Sequence, residues 1–209
     1  RLVAEIQQAG GTALAAPADI ARQAEAVAVI ESTLQQFGRL DTLVNNAGLM
    51  LLGPMTHAST EEWERMIDIN LKAVLYLTHA ALPHLLQAAE TSARKVADIV
   101  NVSSVAGRRA RAGAGVYNAT KFGVVALTEA LRQEVTGRHV RVSVVEPGVV
   151  RTELESHMEA SVREQAMKPF AGITALESED VAEIITFIVT RGWRSAINEV
   201  LVRPTEQAF

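Results

Sequence analysis

The chain alternates between short runs of aliphatic residues and longer segments in which apolar residues recur every three or four positions. The aliphatic runs are continuous, which is typical of parallel strands that are covered on both faces. Five runs have this character: TALAAPADI, LDTLVNNAG, ADIVNVSSVAG, VRVSVVEPGVV and NEVLVRP. The segments between them have the length and period of helices. The pattern therefore predicts a doubly wound α/β domain with a parallel sheet.

Five helices are predicted from this period and from the residues that begin or end them. The first lies in RLVAEIQQAGG, and the second ends at Gly38. The third covers residues 59–90, where Ser59 or Thr60 is the cap and acidic residues in the first turn suit the positive end of a helix. GVYNATKFGVVALTEALRQEVTG and ESEDVAEIITFIVTRG are the last two. No methionine or capping residue precedes the first helix, so we expect residues upstream of Arg1.

Composition narrows the possible functions. The length of 209 residues predicts one domain over 1–209, and the net charge of −4 gives no reason to expect nucleic acid or an anionic membrane as a partner. The chain has no cysteine, which excludes disulfides and a cysteine nucleophile and agrees with a cytoplasmic location. The five histidines lack zinc spacing, so we expect no metal site.

Polar and turn-forming residues follow the predicted strands. They are Asp19, Asn45–Gly48, Ser103 with Ser104, and Pro147–Thr152. In sheets of this type, ligands bind beyond the carboxyl ends of the strands. Tyr117 and Lys121 begin the helix that follows the third set, and residues four apart on a helix share a face. We therefore expect all these residues at one edge of the sheet.

The Tyr117–Lys121 pair is suited to acid–base chemistry. Lowering the pKa of a phenol from its usual 10 to about 7 requires ~4 kcal/mol, and an ammonium ~5 Å away contributes about 3.3 kcal/mol at an effective dielectric of 20. We therefore expect Lys121 to lower the pKa of Tyr117. The Ser104 hydroxyl can polarise a substrate oxygen.

Each of these residues also has a purely structural interpretation. The pair can be an ordinary turn of a surface helix, Pro147–Gly148 can be a simple turn, and Asp19 can cap a helix. Serine and asparagine at strand ends commonly form turns. Their joint occurrence at one sheet edge favours an active site.

Five motifs, in this order, resemble those of the short-chain dehydrogenase/reductase family. They are NNAG at 45–48, IDINL around Asn70, VSS at 102–104, YNATK at 117–121 and PGVVRT at 147–152. Ser104, rather than Ser103, has the family's usual separation from Tyr117. NNAGLMLLGP and the terminal RPTEQ are similar to the bacterial branch that contains clavulanic acid dehydrogenase. The family's glycine-rich loop, with its first strand, first helix and second strand, has no counterpart here, so we expect the domain to be N-terminally incomplete.

This resemblance implies a Rossmann-like fold and an oxidoreductase that interconverts a carbonyl compound and a secondary alcohol. The implied cofactor is NADP(H), and NAD(H) is the alternative. The implied catalytic residues are Asn70, Ser104, Tyr117 and Lys121. The implied cofactor-binding residues are Asp19, Ile20, Asn46, Ala47, Gly48, Tyr117, Lys121, Pro147, Gly148, Val150 and Thr152. The family also implies a homotetramer through helices 60–90 and 115–137.

Two other functions and the nature of the substrate stay open at this stage. A halohydrin lyase of the same fold is disfavoured, because it usually has arginine where Lys121 stands. A cofactor-free scaffold or regulator is the second alternative. Arg108, Arg109 and Arg111 indicate either a carboxylate-bearing substrate or a solvated basic loop. Met50 to Leu52 and residues 153–172 are expected to form an apolar wall and a lid.

Overall fold

The computed structural model describes residues 1–208, and four parallel strands form its sheet. The strands are β1 (Thr42–Asn45), β2 (Ala97–Val102), β3 (Val140–Pro147) and β4 (Glu199–Val202). They lie side by side in chain order, and each neighbouring pair is parallel. Parallel neighbours require long crossovers, which the helices provide. The predicted parallel α/β fold is therefore confirmed.

The described chain has seven α-helices. They are α1 (Leu2–Gln8), α2 (Gln23–Phe37), α3 (Thr60–Ile67), α4 (Ala73–Thr91), α5 (Gly115–Val135), α6 (Ala160–Met167) and α7 (Ser178–Val189). A π-helical turn, Asp68–Lys72, joins α3 to α4. Short 3₁₀ helices lie at Val105–Gly107, Thr136–Arg138, Glu153–His157 and Lys168–Phe170.

One sequence prediction about these elements is wrong. TALAAPADI is not a strand: its residues are mostly exposed, and β1 is hydrogen-bonded only to β2 within residues 1–208. An apolar run becomes a strand only when a neighbouring strand satisfies its backbone groups. The predicted helix over 59–90 is found over residues 60–91, with a π turn at Asp68–Lys72 within it. The segment 153–172, expected to form a lid, contains α6.

The main core lies between the sheet and helices α2, α4 and α5. Ile99, Val140 and Val142 of the central strands are completely buried, and Leu85 of α4 packs with them. Burying a side chain of this size contributes ~1.5–3 kcal/mol. A second cluster near the carboxyl edge of the sheet includes Tyr117. The helix that carries the Tyr–Lys pair is thus fixed at both ends by apolar packing.

A chain of buried amides connects the strands to α5. Asn45 and Asn101 are register partners in β1 and β2, and the Asn45 Nδ2 donates to the Asn101 Oδ1 at 2.8 Å. The Asn101 Nδ2 in turn donates to the Thr128 Oγ1 on α5 at 2.9 Å. Buried polar networks of this kind specify a single arrangement of the elements that they join. The network therefore sets the height of α5 against the strand ends.

Candidate active site

A cavity of about 950 Å³ opens at the carboxyl edge of the sheet. Most of the predicted site residues line it: Asn46, Ala47, Gly48, Ser104, Tyr117, Lys121, Pro147, Gly148, Val150 and Thr152. Met50 and Leu52 also line it, as expected of an apolar wall. Asp19 and Ile20 are not part of the lining. The strand ends and the start of α5 thus converge on one site.

Tyr117 and Lys121 lie one turn apart on α5, and both are buried. The Lys121 Nζ is 5.8 Å from the centroid of the Tyr117 ring. The same ammonium donates a hydrogen bond to the carbonyl oxygen of Val102 at 3.0 Å. Val102 is the last residue of β2. The ammonium is therefore held between the tyrosine and the strand that leads to Ser104.

Ser104 is oriented by the turn that it begins. Its Oγ accepts a hydrogen bond from the Ala106 backbone amide at 3.1 Å, and it also hydrogen-bonds with the Tyr117 hydroxyl. Ser103 differs, because its Oγ donates to the carbonyl oxygen of Lys121 at 3.0 Å. Of the two serines, only Ser104 has a hydroxyl next to the phenol, and its catalytic role stays a prediction.

Burial opposes ionisation of both members of the pair. It raises the pKa of the Tyr117 phenol, and the hydrogen bond with Ser104 acts in the opposite direction with a smaller effect. It lowers the pKa of the Lys121 ammonium to about 8. The expectation of a Tyr117 pKa below its usual value is wrong, because the removal of the phenolate from water has the largest effect and raises the pKa. At neutral pH the pair is a neutral phenol beside an ammonium.

Asn70 lies in the π turn between α3 and α4 and is 1% exposed. Its Oδ1 accepts from the Leu49 amide at 2.7 Å, and its Nδ2 donates to the Leu49 carbonyl oxygen at 2.8 Å. The Nδ2 also reaches the Thr120 Oγ1 at 3.2 Å. Single π turns within helices are frequent at functional sites. Asn70 therefore joins the loop after β1 to α5, and its proposed support of Lys121 stays a prediction.

Gly48 leaves space beside Lys121. A Cβ atom at this position would lie 3.6 Å from the Lys121 Nζ and 3.5 Å from the Asn70 Oδ1. An ammonium has three N–H donors, and within residues 1–208 only the Val102 carbonyl oxygen accepts one of them from Lys121. The open space and the remaining donors fit a ligand that carries hydroxyl groups.

Gly148 is required for a different reason. A Cβ atom there would overlap the Oε1 of Gln207. This oxygen accepts a hydrogen bond from the Val149 amide at 3.0 Å, so the C-terminal segment is attached to the loop after β3. No sequence pattern marks Gln207 as a site residue, and its place in the RPTEQ motif is the one signal that points to it. Contact between Gly148 and a cofactor stays a prediction.

Asp19 has local partners near the start of α2. Its Oδ1 accepts a hydrogen bond from the Ala21 amide at 3.2 Å, and its Oδ2 is 3.4 Å from the Arg22 Nε. These contacts agree with the interpretation of Asp19 as a residue that stabilises a turn. The predicted contact of Asp19 and Ile20 with adenine is not tested by them.

The three arginines between Ser104 and Tyr117 have different positions. Arg108 forms ion pairs with Glu146 at 2.6 Å and with Glu199 at 2.5 Å, and these carboxylates raise its pKa above the usual range. It therefore joins β3 to β4. Arg109 and Arg111 line the cavity.

Metal and membrane binding find no support in the part of the chain that the structure describes. Residues 1–208 contain no group of three or more His, Asp or Glu side chains that could hold a metal ion. No helix within the same range has the length and apolar character needed to cross a bilayer.

Known proteins match this chain over most of its length. The family model described as short chain dehydrogenase matches residues 1–163. An uncharacterized oxidoreductase of Staphylococcus saprophyticus is 35% identical over 193 residues, which make up 91% of this chain and 76% of the relative. The NADP-dependent 3-hydroxy acid dehydrogenase YdfG of Salmonella typhi is 37% identical over 211 residues, covering 100% of this chain and 83% of the relative.

Solved structures give the same result. Serine dehydrogenase in its closed form, complexed with NADP+, superimposes with a TM-score of 0.85 at 33% identity, over 99% of this chain and 82% of that protein. The 3-ketoacyl-(acyl-carrier-protein) reductase from Brucella melitensis, complexed with NADH, gives 0.82 at 28% identity, over 97% and 82% of the two chains. Its motifs, its fold and these matches show that the chain belongs to the short-chain dehydrogenase family.

Proposed function

We propose that the protein is an NADP(H)-dependent oxidoreductase that interconverts a carbonyl compound and a secondary alcohol, with Tyr117 as the acid–base group. One observation carries the proposal: a buried tyrosine and a buried lysine lie beside Ser104 in a single large cavity. Membership of a dehydrogenase family supports the reaction type. The Salmonella relative is named for NADP and the serine dehydrogenase structure holds NADP+, which favours NADP(H). The Brucella reductase holds NADH, so NAD(H) is the alternative cofactor.

The nicotinamide, when bound, supplies or accepts the hydride. Proton transfer belongs to the protein. As a neutral phenol, Tyr117 donates its proton to the carbonyl oxygen of the substrate during reduction, and the Ser104 hydroxyl donates a hydrogen bond to the same oxygen. The Lys121 ammonium then stabilises the phenolate that is left, by charge attraction across a buried gap. In the oxidative direction this phenolate accepts the proton of the alcohol.

The cavity wall supports a division between cofactor and substrate contacts. Gly48 and Lys121 border the space that fits the hydroxyl groups of a ribose, with Asn46 and Ala47 beside them. Pro147 to Val150 and Thr152 form another part of the wall, where Val150 and Thr152 would contact the nicotinamide carboxamide. Small residues and backbone amides in these loops suit close approach of a flat ring.

Fluorescence titration with NADPH and NADH tests the proposal. Burial of reduced nicotinamide in this cavity should raise and blue-shift its emission, and NADPH should bind more tightly than NADH. A panel of ketones and secondary alcohols then measures turnover with the preferred cofactor. Binding of neither dinucleotide would instead favour the cofactor-free scaffold.

We also propose that the protein forms a homo-oligomer through the outer faces of α3, α4 and α5. Ile67, Leu75 and Phe122, one on each helix, are 38%, 42% and 43% exposed. The three helices correspond to 60–90 and 115–137, the segments through which the family is expected to form its tetramer. Light scattering after size-exclusion chromatography tests this, and a monomer at micromolar concentration would contradict it. The cytoplasmic location stays a prediction.

A further inference from the structure

Arg111 lies at the mouth of the cavity, in the loop between the turn Val105–Gly107 and α5. Asn118, the residue after Tyr117, holds this loop in place. The Asn118 Oδ1 accepts from the Arg111 amide at 3.2 Å, and its Nδ2 donates to the Ala106 carbonyl oxygen at 2.7 Å. Asn118 is itself buried. The backbone of Arg111 is thus hydrogen-bonded directly to the residue that follows Tyr117 in the chain.

The Arg111 guanidinium is oriented by an aromatic ring. Its Cζ lies 4.9 Å from the ring centroid of Phe170, in the 3₁₀ helix Lys168–Phe170. Stacking on a ring uses the flat face of a guanidinium and leaves its in-plane N–H groups for acceptors. A carboxylate accepts two such N–H groups side by side, which makes the contact strong and directional. The guanidinium of Arg111 thus lies over the Phe170 ring, a contact that leaves its N–H groups available to an acceptor.

Arg111 forms no ion pair with any carboxylate of residues 1–208. Its neighbour Arg108 is different, because Glu146 and Glu199 both accept from it. Glu153 and Glu155 also line the cavity, so the charge around the mouth is mixed. Neither of these two carboxylates pairs with Arg111, and its guanidinium donors are left for a ligand.

We propose that Arg111 binds a carboxylate of the substrate and makes the enzyme selective for oxo acids and the corresponding hydroxy acids. The carbonyl carbon of such a substrate lies at Ser104 and Tyr117, and its carboxylate lies toward the loop of Arg111. This inference rests on the proposed function, because it names the substrate class of the same cavity. It assigns Arg111 a role in substrate choice and none in proton transfer.

Acetoacetate and acetoacetamide are suitable probes, because they share a ketone and differ in charge at the far end. The ratio of kcat/KM for the acid to kcat/KM for the amide is measured with NADPH for the wild-type protein and for Arg111→Gln and Arg111→Lys. Arg163→Gln is the matched control, since Arg163 is an exposed arginine of α6 outside the cavity lining. Circular dichroism of each variant checks folding.

The wild-type protein should favour the acid, and Arg111→Gln should lower the ratio by about 10- to 100-fold, the loss of a charged hydrogen-bonded pair. The loss should lie mainly in KM, Arg111→Lys should keep part of the preference, and Arg163→Gln should keep all of it. Equal use of both probes by the wild type, or an unchanged ratio in Arg111→Gln, overturns the role of Arg111 while turnover of the amide upholds the proposed function. Absence of turnover with either probe and with every ketone of the panel overturns the proposed function, and this inference with it.

Discussion

The floor and the mouth of the cavity are built in different ways. The floor consists of Ser104, Tyr117 and Lys121, and the mouth consists of those residues of 105–114 and 153–172 that line the cavity. Tyr117 and Lys121 are buried on a 21-residue helix, and Lys121 is bound to the end of β2. The mouth is made of short helices and loops whose side chains are mostly exposed or half-buried. A rigid floor suits proton transfer, which requires fixed distances, and a less buried mouth suits recognition of the substrate.

Burial also separates the two regions electrostatically. In the floor it raises the pKa of Tyr117 and lowers that of Lys121 to about 8. At the mouth, Arg111 is half-buried, and its Cζ lies 4.9 Å from the Phe170 ring centroid. Charge in the floor therefore responds to pH near neutrality, whereas the charge of an arginine at the mouth does not. Substitutions in the floor should therefore change the rate of the reaction, and substitutions at the mouth should change the choice of substrate.

Tyr117→Phe should give the largest effect. The substitution removes the proton donor and keeps the ring that packs in the second apolar cluster. We expect kcat to fall by about 10²- to 10⁴-fold with cofactor affinity unchanged, since general acid catalysis contributes this much. Steady-state kinetics and NADPH titration measure the two quantities. Tyr76→Phe is the matched control, because Tyr76 is the other tyrosine of the chain and does not line the cavity. Retention of most activity by Tyr117→Phe would show that Tyr117 is not the acid–base group.

Lys121→Met should reduce catalysis and increase stability together. Loss of the charge should lower kcat by about 100-fold, from ~3 kcal/mol between charges ~6 Å apart at an effective dielectric of 20. The pKa of Lys121 is about 8 in the folded protein, against the ordinary 10.5 expected in the unfolded chain. Below pH 8 the lysine is charged in both states and the folded protein bears the burial penalty. Between pH 8 and 10.5 the unfolded chain binds more protons, so wild-type stability rises with pH.

Denaturant unfolding at pH 7 and pH 10 measures the effect of Lys121→Met on the free energy of unfolding. At pH 7, Lys121→Met should raise the free energy of unfolding by about 3 kcal/mol, and the gain should shrink as the pH approaches 10. A variant that is less stable than the wild type at pH 7 would contradict the account of burial given for the floor.

Gly148→Ala should have the smallest effect, at the boundary between the two regions. The added methyl group overlaps the Oε1 of Gln207, which would have to leave the Val149 amide. We expect a loss of ~1–3 kcal/mol in the free energy of unfolding, as for other overpacked sites. In a double-mutant cycle, Gln207→Ala should reduce this penalty because the clashing atom is gone. Additive losses would show that the Gln207 contact is not what requires glycine.

The sequence predicts much of the fold because local patterns determine it. Apolar runs correctly locate four strands, and Gly38, which ends α2 at a φ of 74°, illustrates how one residue marks a boundary. TALAAPADI is the exception, since its state depends on a pairing partner and not on its own residues. The π turn at Asn70 depends on contacts with Leu49 and Thr120, which are distant in the sequence.

The candidate site is predicted in part for the same reason. The strand-end rule correctly brings Ser104, Tyr117 and Lys121 to one cavity. The sequence predicts the wrong direction for the pKa of Tyr117. Burial, which is a property of the folded chain, raises this pKa and opposes the effect of a nearby charge. Spacing alone also cannot separate Arg108, which pairs with two carboxylates, from Arg111, which lines the cavity. Partners that are distant in the chain decide all these cases.

Transfer of isotope from the cofactor tests the role of Tyr117 in hydride transfer to a ketone. NADPH with deuterium at both C4 positions of the nicotinamide is supplied with a ketone that the protein reduces, and the alcohol is analysed by mass spectrometry and NMR. We expect one deuterium on the carbinol carbon with the wild-type protein, at a rate that falls by at least about 100-fold in Tyr117→Phe while NADPH still binds. Equal rates of deuterium transfer in the two proteins, or no transfer from bound NADPH to any ketone by the wild type, would contradict it.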